Sequence, residues 1–445
     1  MKKLILNTAL LFSSLVVVTA CSEIDDSMSI DSQFIGTADE QFKVTELIPR
    51  NQDLSLDEFM KIEQKFNNLK AKYEADNTDY ESLIKLAEIY IYEARVSGEH
   101  PYYYTAALKT LNEMIDIENQ LTRDQHFTVL FYKSTVELSQ HHFSAALKTA
   151  EKALAINSLN AGIYGVLVDA HVEIGNYDEA VKMCDQMLQI RPDLRSYSRT
   201  SYLREIFGDV KGSKKAMMDA INAGAPYSEY KCWTLTTLGN IYEAEGQLDS
   251  AQVCYEYSKQ ERENYPFGIA GTARVLAKKG ETETAIALYE EAINILPEIG
   301  FNIELAKLKR SIGQTEEVAK MVSDIEKMFK EDIESGHNMS LEYANFLCTF
   351  KKDYETALTY GKEELKLRPS NIDVNKLLAF VYYRLGDKKK AESHVNVALS
   401  TEKKDADLWC LKGLIQSDRD LVKKSFNHNP HQSHFLAEEA KAFIQ

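Results

Sequence analysis

"LTTLGNIYEAEGQLDSAQVCYEYS", residues 235–258, holds two segments of helical period on either side of a glycine. Leu235, Leu238 and Tyr242 recur at steps of three and four, so they share one face of a first helix; Ala251 and Tyr255 do the same on a second. Gly246 lies where the first helix must end, because glycine adopts the left-handed conformation that closes many helices. Gly239 and Ala251 are the small members, and small side chains let two helix backbones approach. The stretch reads as an antiparallel helix pair.

The pair is one of a series. Small or moderate residues recur in the first helix at Ser134, Val168, Ser201, Gly239, Ala273, Ala306, Asn345, Ala379 and Gly413, at spacings of 34, 33, 38, 34, 33, 39, 34 and 34. A second set recurs at Ala146, Ala180, Ser213, Ala251, Ala285, Val318, Ala357 and Ala391, with the same intervals, irregular ones included. Further copies read "AIALYEEAINILP" (285–297) and "LVDAHVEIGNYDEAVKMCDQMLQIRP" (167–192). A 34-residue period of this kind resembles the tetratricopeptide repeat family. That resemblance implies an all-α superhelical solenoid of about nine to ten helix-turn-helix repeats over residues 79–445, closed by a C-terminal capping helix. Stacked hairpins share a core that none could bury alone. The repeat containing Lys133 and the one around Ala306 are degenerate, the unit after Leu408 is truncated, and an early unit with Leu83, Leu86, Ala87 and Tyr90 has a longer turn at "SGEHPYYY".

Ahead of the repeats, "MKKLILNTALLFSSLVVVTAC" has a basic start, an apolar run of about 15 residues and small residues before Cys21, the pattern of a secretory leader over residues 1–20. The run is short of the roughly 20 residues that a spanning helix needs. Val18-Thr19-Ala20-Cys21 resembles a bacterial lipobox, which implies that Cys21 is the lipidated N-terminus of the mature chain; an ordinary signal peptide is the alternative. With no aspartate directly after Cys21, the lipoprotein resemblance implies an outer-membrane address, periplasmic or surface-facing. Residues 21–53 read as an acidic flexible tether. Residues 54–78 read as an N-terminal helix, with Ser55 and Glu58 forming a capping box and Phe59, Ile62, Phe66, Leu69 and Tyr73 on one face.

The chain has 52 Lys plus Arg against 68 Asp plus Glu, a net charge of −16. Counterion release on nucleic acid needs basic surface, so no nucleic-acid partner is expected. After Cys21, the cysteines Cys184, Cys232, Cys254, Cys348 and Cys410 form no C-x-x-C pair and read as packing residues; Cys348 falls where the first helix often carries tyrosine. "HNPHQSH" sets His428, His431 and His434 three apart, a weak transition-metal candidate against a plain polar loop interrupted by Pro430. "GDVKGSKK" (208–215) has three residues between its glycines instead of the four of a phosphate loop, and it coincides with a repeat turn. No catalytic motif is found, so neither an enzyme nor a cofactor is expected.

Binding is the remaining expectation. In the tetratricopeptide family the first helix of each pair lines a concave surface, which implies that residues just after the small positions face it: Asp169, Tyr202, Asn240, Arg274 and Lys307. Arg195, Trp233 and Phe267 lie one turn earlier, and Arg310 closes the strip. Arginine and aromatic residues are common interface anchors. Arg195, Tyr202, Trp233, Asn240, Phe267, Arg274, Lys307 and Arg310 form the candidate groove for an extended peptide or acidic segment. Tyr102, Tyr103 and Tyr104 are a second patch, open between binding and packing. The expected function is a lipid-anchored scaffold or adaptor for protein partners at the bacterial envelope, in assembly of an envelope complex; the alternative is an envelope lipoprotein binding a glycan or a transition metal.

Overall fold

The computed structural model describes residues 42–52, 54–432 and 436–445; Cys21, the leader, Ser433 and His434 lie outside them. Among the described residues there are 22 α-helices and no strand. A first helix, α1 (Leu56–Ala75), precedes ten helix pairs. These are α2 (Tyr80–Ser97) with α3 (His100–Asp116), α4 (Arg123–Ser139) with α5 (Phe143–Ile156), α6 (Ala161–Glu173) with α7 (Tyr177–Ile190), and α8 (Leu194–Ile206) with α9 (Val210–Ala223). Next come α10 (Glu229–Ala244) with α11 (Leu248–Glu261), α12 (Pro266–Lys279) with α13 (Thr282–Ile295), and α14 (Ile299–Ser311) with α15 (Thr315–Glu334). The series ends with α16 (Ser340–Phe346) and α17 (Tyr354–Leu367), α18 (Ile372–Arg384) and α19 (Lys388–Ala398), α20 (Ala406–Gln416) and α21 (Arg419–His428), then α22 (Ala437–Ile444). The expected all-α solenoid is what the chain forms.

The small positions do what their size allows. A Cβ on Gly239 would stand 2.5 Å from the Tyr255 ring, and one on Gly271 would stand 2.6 Å from it. Tyr255 on α11 is therefore wedged between α10 and α12, fully buried. Burying a large apolar side chain in this way stabilises the stack by about 1.5–3 kcal/mol. Cys184 fills the equivalent slot on α7 and is 1% exposed.

Three sequence expectations shift. Asn345 is exposed, and Ala344 is buried in its place, because the π-helical segment Leu347–Lys351 that continues α16 takes up one extra residue. Cys348 is buried inside that segment. The turn at "SGEHPYYY" is not long: α2 ends at Ser97, Gly98 turns the chain at φ +75°, and Tyr102, Tyr103 and Tyr104 already belong to α3. Ser55 makes no side-chain cap, since Glu58 instead accepts from Arg50 at 2.9 Å and Arg262 at 2.7 Å.

Residues 42–52, placed in the tether by the sequence, lie extended against the first repeat. The Tyr103 hydroxyl donates to the Ile48 carbonyl and accepts from the Ile48 N–H, each at 3.1 Å. Arg50 is buried, with Nε donating to Glu93 at 2.8 Å. A buried arginine persists only where carboxylates surround it.

The superhelix closes tightly. Asn338 N–H donates to the Gln140 carbonyl at 2.9 Å, Asn371 Nδ2 to the Glu173 carbonyl at 3.0 Å, Ile372 N–H to the Tyr177 hydroxyl at 2.9 Å, and Asn429 Nδ2 to the Glu243 carbonyl at 3.3 Å. The last three pairs are 186 to 198 residues apart, just under six periods of 34. Each turn of the superhelix thus rests on the one before along a seam of polar contacts. Gly175 lies on it at φ +85°, with space for a Cβ already occupied by Ser370 and Asn371.

Candidate partner-binding site

The inner faces of α4, α6, α8, α10, α16, α18 and α20, with α1 and α2, line one cavity of about 970 Å³. That is the upper end of the range for ligand pockets. Because the turns stack, helices from both turns share it.

Local sequence aims the side chains. Asp193 caps α8, accepting from Arg195 N–H at 2.9 Å and Ser196 N–H at 3.0 Å, while the Ser196 hydroxyl accepts from Asp193 N–H at 2.7 Å. With the start of α8 set, Arg195, Arg199 and Tyr202 fall on one face and line the cavity. Ser228 caps α10, and Tyr230 and Trp233 follow on its inward face. Arg95 and Arg195 both stack on the Tyr230 ring, at 4.5 and 4.9 Å from its centre. Arg95 is also paired with Glu229.

Carboxylates of both turns meet around Arg368. Arg368 donates from Nε to Glu364 at 2.6 Å and from Nη1 to Glu173 at 2.9 Å, and its guanidinium lies over Phe143 at 4.9 Å. Burial pushes the Glu173 carboxyl up to about 7, with Arg368 opposing the rise. Burial likewise pushes Glu342 up to about 7. Asp169 is paired with Arg199 and is raised by burial against that pairing. Buried carboxyls of this kind are held near neutrality by desolvation.

Of the eight groove candidates, Arg195, Tyr202 and Trp233 line the cavity and the other five do not. Asn240 and Arg274 belong to a buried network: Arg274 Nη2 donates to Asn240 at 2.6 Å and to Glu243 at 2.9 Å, and Lys278 donates to Glu243 at 2.7 Å. Burial would raise the Glu243 carboxyl, but Arg274 and Lys278 outweigh it and hold it at about 2. Phe267 packs edge-on against Phe301 at 5.3 Å. Lys307 donates to Glu304 at 2.6 Å; Arg310 donates to the Thr349 carbonyl at 2.6 Å and lies over Phe350.

Tyr92, Arg95, Tyr132, Tyr230, Glu342 and Arg368 are cavity residues that the sequence reading did not single out. Extending the rule of the residue after each small position to α4 and α18 would have found Thr135 and Phe380, which do line it. Arg368 had no such signal, since it ends a second helix. Tyr103 and Tyr104 are buried packing residues. His428 packs on Trp409 at 5.1 Å between ring centres, and His431 N–H donates to Asn429 at 2.9 Å. Among the described residues no group of three or more His, Cys, Asp or Glu is arranged to hold a metal ion, and none of the helices is long and apolar enough to cross a membrane.

Residues 137–199 match the family model of the tetratricopeptide repeat. No curated protein sequence matches the chain. Among solved structures, it is similar to that of a study titled "Functional Characterization of Pseudomonas Aeruginosa pilF" (15% identity, covering 51% of this chain and 98% of that one, TM-score 0.38). It is also similar to a tetratricopeptide repeat protein from Parabacteroides merdae (17%, 56% and 97%, 0.32) and to the APC/C hetero-tetramer Cut9–Hcn1 (13%, 87% and 95%, 0.37). The repeats at residues 137–199 are thus of the tetratricopeptide family, set within an all-helical solenoid of paired helices.

Proposed function

We propose that this protein is a lipid-anchored scaffold that holds a protein partner at the bacterial cell envelope, and that the tetratricopeptide reading extends over residues 79–445. The observation that carries the binding part is the cavity of about 970 Å³, into which Arg195, Tyr202 and Trp233 project beside Tyr230. Arginine, tyrosine and tryptophan gathered in one recess are the residue types that anchor interfaces. Proteins built of these repeats bind protein or peptide partners as a class, which supports a binding role over catalysis.

The anchoring part rests on the leader ending in Val18-Thr19-Ala20-Cys21. Acyl chains contribute about 0.8 kcal/mol per buried methylene, enough when several are present to hold a folded body at a membrane. The intended address is the outer membrane, with the body facing the periplasm or the surface.

Photo-crosslinking in whole envelopes tests both parts. A benzoyl-phenylalanine at position 233 should capture one or a few discrete proteins in the membrane fraction. Cys21→Ser should move the protein out of that fraction. Capture of no protein from position 233, in cells where the protein is folded and abundant, sinks the scaffold reading; membrane retention of the Cys21→Ser variant sinks the lipid anchor.

A further inference from the structure

The cavity is lined by charges of both signs, and its unpaired cations gather at one end. On its first-turn side, Lys61 and Lys65 of α1 and Arg195 of α8 line it, and none of the three has a carboxylate within ion-pair distance among the described residues. The first-turn carboxylates are mostly engaged: Glu58 accepts from Arg50 and Arg262, and Asp169 pairs with Arg199. Glu88 lies on the same side, where burial and, after it, the Glu88 charge raise the Tyr132 hydroxyl. On the second-turn side, Asp373 lies in the first turn of α18, where the helix N-terminus favours its charge, Lys376 is paired with Asp405 and Asp407, Glu342 faces His141 at 3.8 Å, and Arg368 reaches across to Glu173 of α6.

Arg195, Lys61 and Lys65 are solvent-exposed, so a segment entering the cavity meets their charges without displacing a carboxylate of the chain. Arg195 lies over the Tyr230 face, shared with Arg95, and its five N–H donors are open to solvent and to an entering carboxylate. The aromatic rings of Tyr92, Tyr132 and Trp233 complete the wall.

We propose that the first-turn end of the cavity, around Arg195, Lys61 and Lys65, takes the acidic side chains of an extended segment of a protein partner. This rests on the reading of the cavity as the partner site and adds the chemistry of what enters it. Carboxylates of the segment meet Arg195 in paired N–H···O contacts and the lysines as point charges, while its backbone and stems lie on Trp233 and Tyr132.

The two tryptophans, Trp233 and Trp409, make the test direct. Trp409 packs against Lys424 and His428 and does not line the cavity, so a Trp409→Phe protein reports on Trp233 alone. The probes are acetylated, amidated hexaglutamate and hexalysine, whose charge lies only on side chains, with inorganic phosphate as a simple anion. Saturable change of Trp233 emission is expected with hexaglutamate, weakening as salt is raised, and none with hexalysine. Arg195→Gln should weaken hexaglutamate binding more than tenfold, and Lys65→Gln, at an exposed helix position, severalfold. Equal response to hexalysine, saturation by phosphate as tight as by hexaglutamate, or unchanged affinity in both variants overturns the inference. A crosslink from position 233 to a partner segment without Asp or Glu overturns it while leaving the scaffold reading intact. Hexaglutamate binding with no envelope protein captured does the reverse.

Discussion

Arg368, the cap that follows α17, donates to Glu173 of α6 at 2.9 Å across 195 residues of sequence. One guanidinium, also bonded to Glu364 and stacked on Phe143, thereby ties the second turn of the superhelix to the first. The cavity exists as a shared space because of ties like this one.

Arg368→Met removes the single cation facing three buried or half-buried carboxylates, Glu173, Glu364 and Glu342. Leaving such charges unpaired costs about 3–5 kcal/mol. The urea midpoint should fall accordingly, and small-angle scattering should show a longer particle as the turns part. Glu173→Gln keeps the hydrogen bond and should cost less than half as much.

The pH dependence has a definite sign. Burial raises the Glu342 carboxyl from 4.5 to about 7, against the pull of Arg368. Its folded form therefore holds a proton more readily than its unfolded form, so its contribution favours folding at low pH and is lost as pH rises from 4.5 to 7. His141, held down to about 3 chiefly by burial, acts in the opposite sense below 6.5 and flattens the profile of the whole protein. Glu342→Gln isolates the effect: it should be more stable than the parent at pH 8 by roughly 1–3 kcal/mol and no more stable at pH 5, read from denaturation at both values.

Gly175 and Gly280 separate seam contact from backbone strain. Both have positive φ, +85° and +86°, so alanine at either costs about 1–2 kcal/mol in backbone conformation. A Cβ at Gly280 meets nothing within 4 Å, whereas one at Gly175 stands 2.6 Å from the Ser370 carbonyl carbon. Gly175→Ala should lose measurably more stability than Gly280→Ala and should speed amide exchange at Ile372, whose N–H bonds across the seam.

The five cysteines from Cys184 onward are buried, and none of them is in a disulfide among the described residues. Burial pushes the thiols of Cys232, Cys348 and Cys410 up to about 12 and that of Cys254 up to about 11. Thiol reagents at pH 8 should label none of the five in the native protein and all five in guanidinium. Cys184→Ala should cost about 1 kcal/mol, as loss of one buried methyl-sized group does, and leave partner capture unchanged.

Helix pairs, their limits and their packing slots were legible because each is written within about 34 residues: Gly239 and Ala251 mark a crossing, and Tyr255 fills it. The extra residue of the π-helical segment was not, since nothing in "NFLCTFK" separates a π turn from an α turn until the small position is seen to shift to Ala344. The groove was legible in part. Arg195, Tyr202 and Trp233 fall on inward helix faces by period alone, while Arg274 and Asn240, on faces chosen by the same rule, are held by Glu243 and Tyr255.

Local periodicity thus determined the helices, the pairing and the solenoid, because those depend on contacts between near neighbours in the chain. Superhelical pitch decided the rest. Whether the inner face is an open groove or a cavity walled by two turns depends on small rotations accumulated over nearly six repeats, and so on contacts such as Arg368 with Glu173 and Ile372 with Tyr177. No window of sequence contains both members of those pairs, and only the folded chain brings them together.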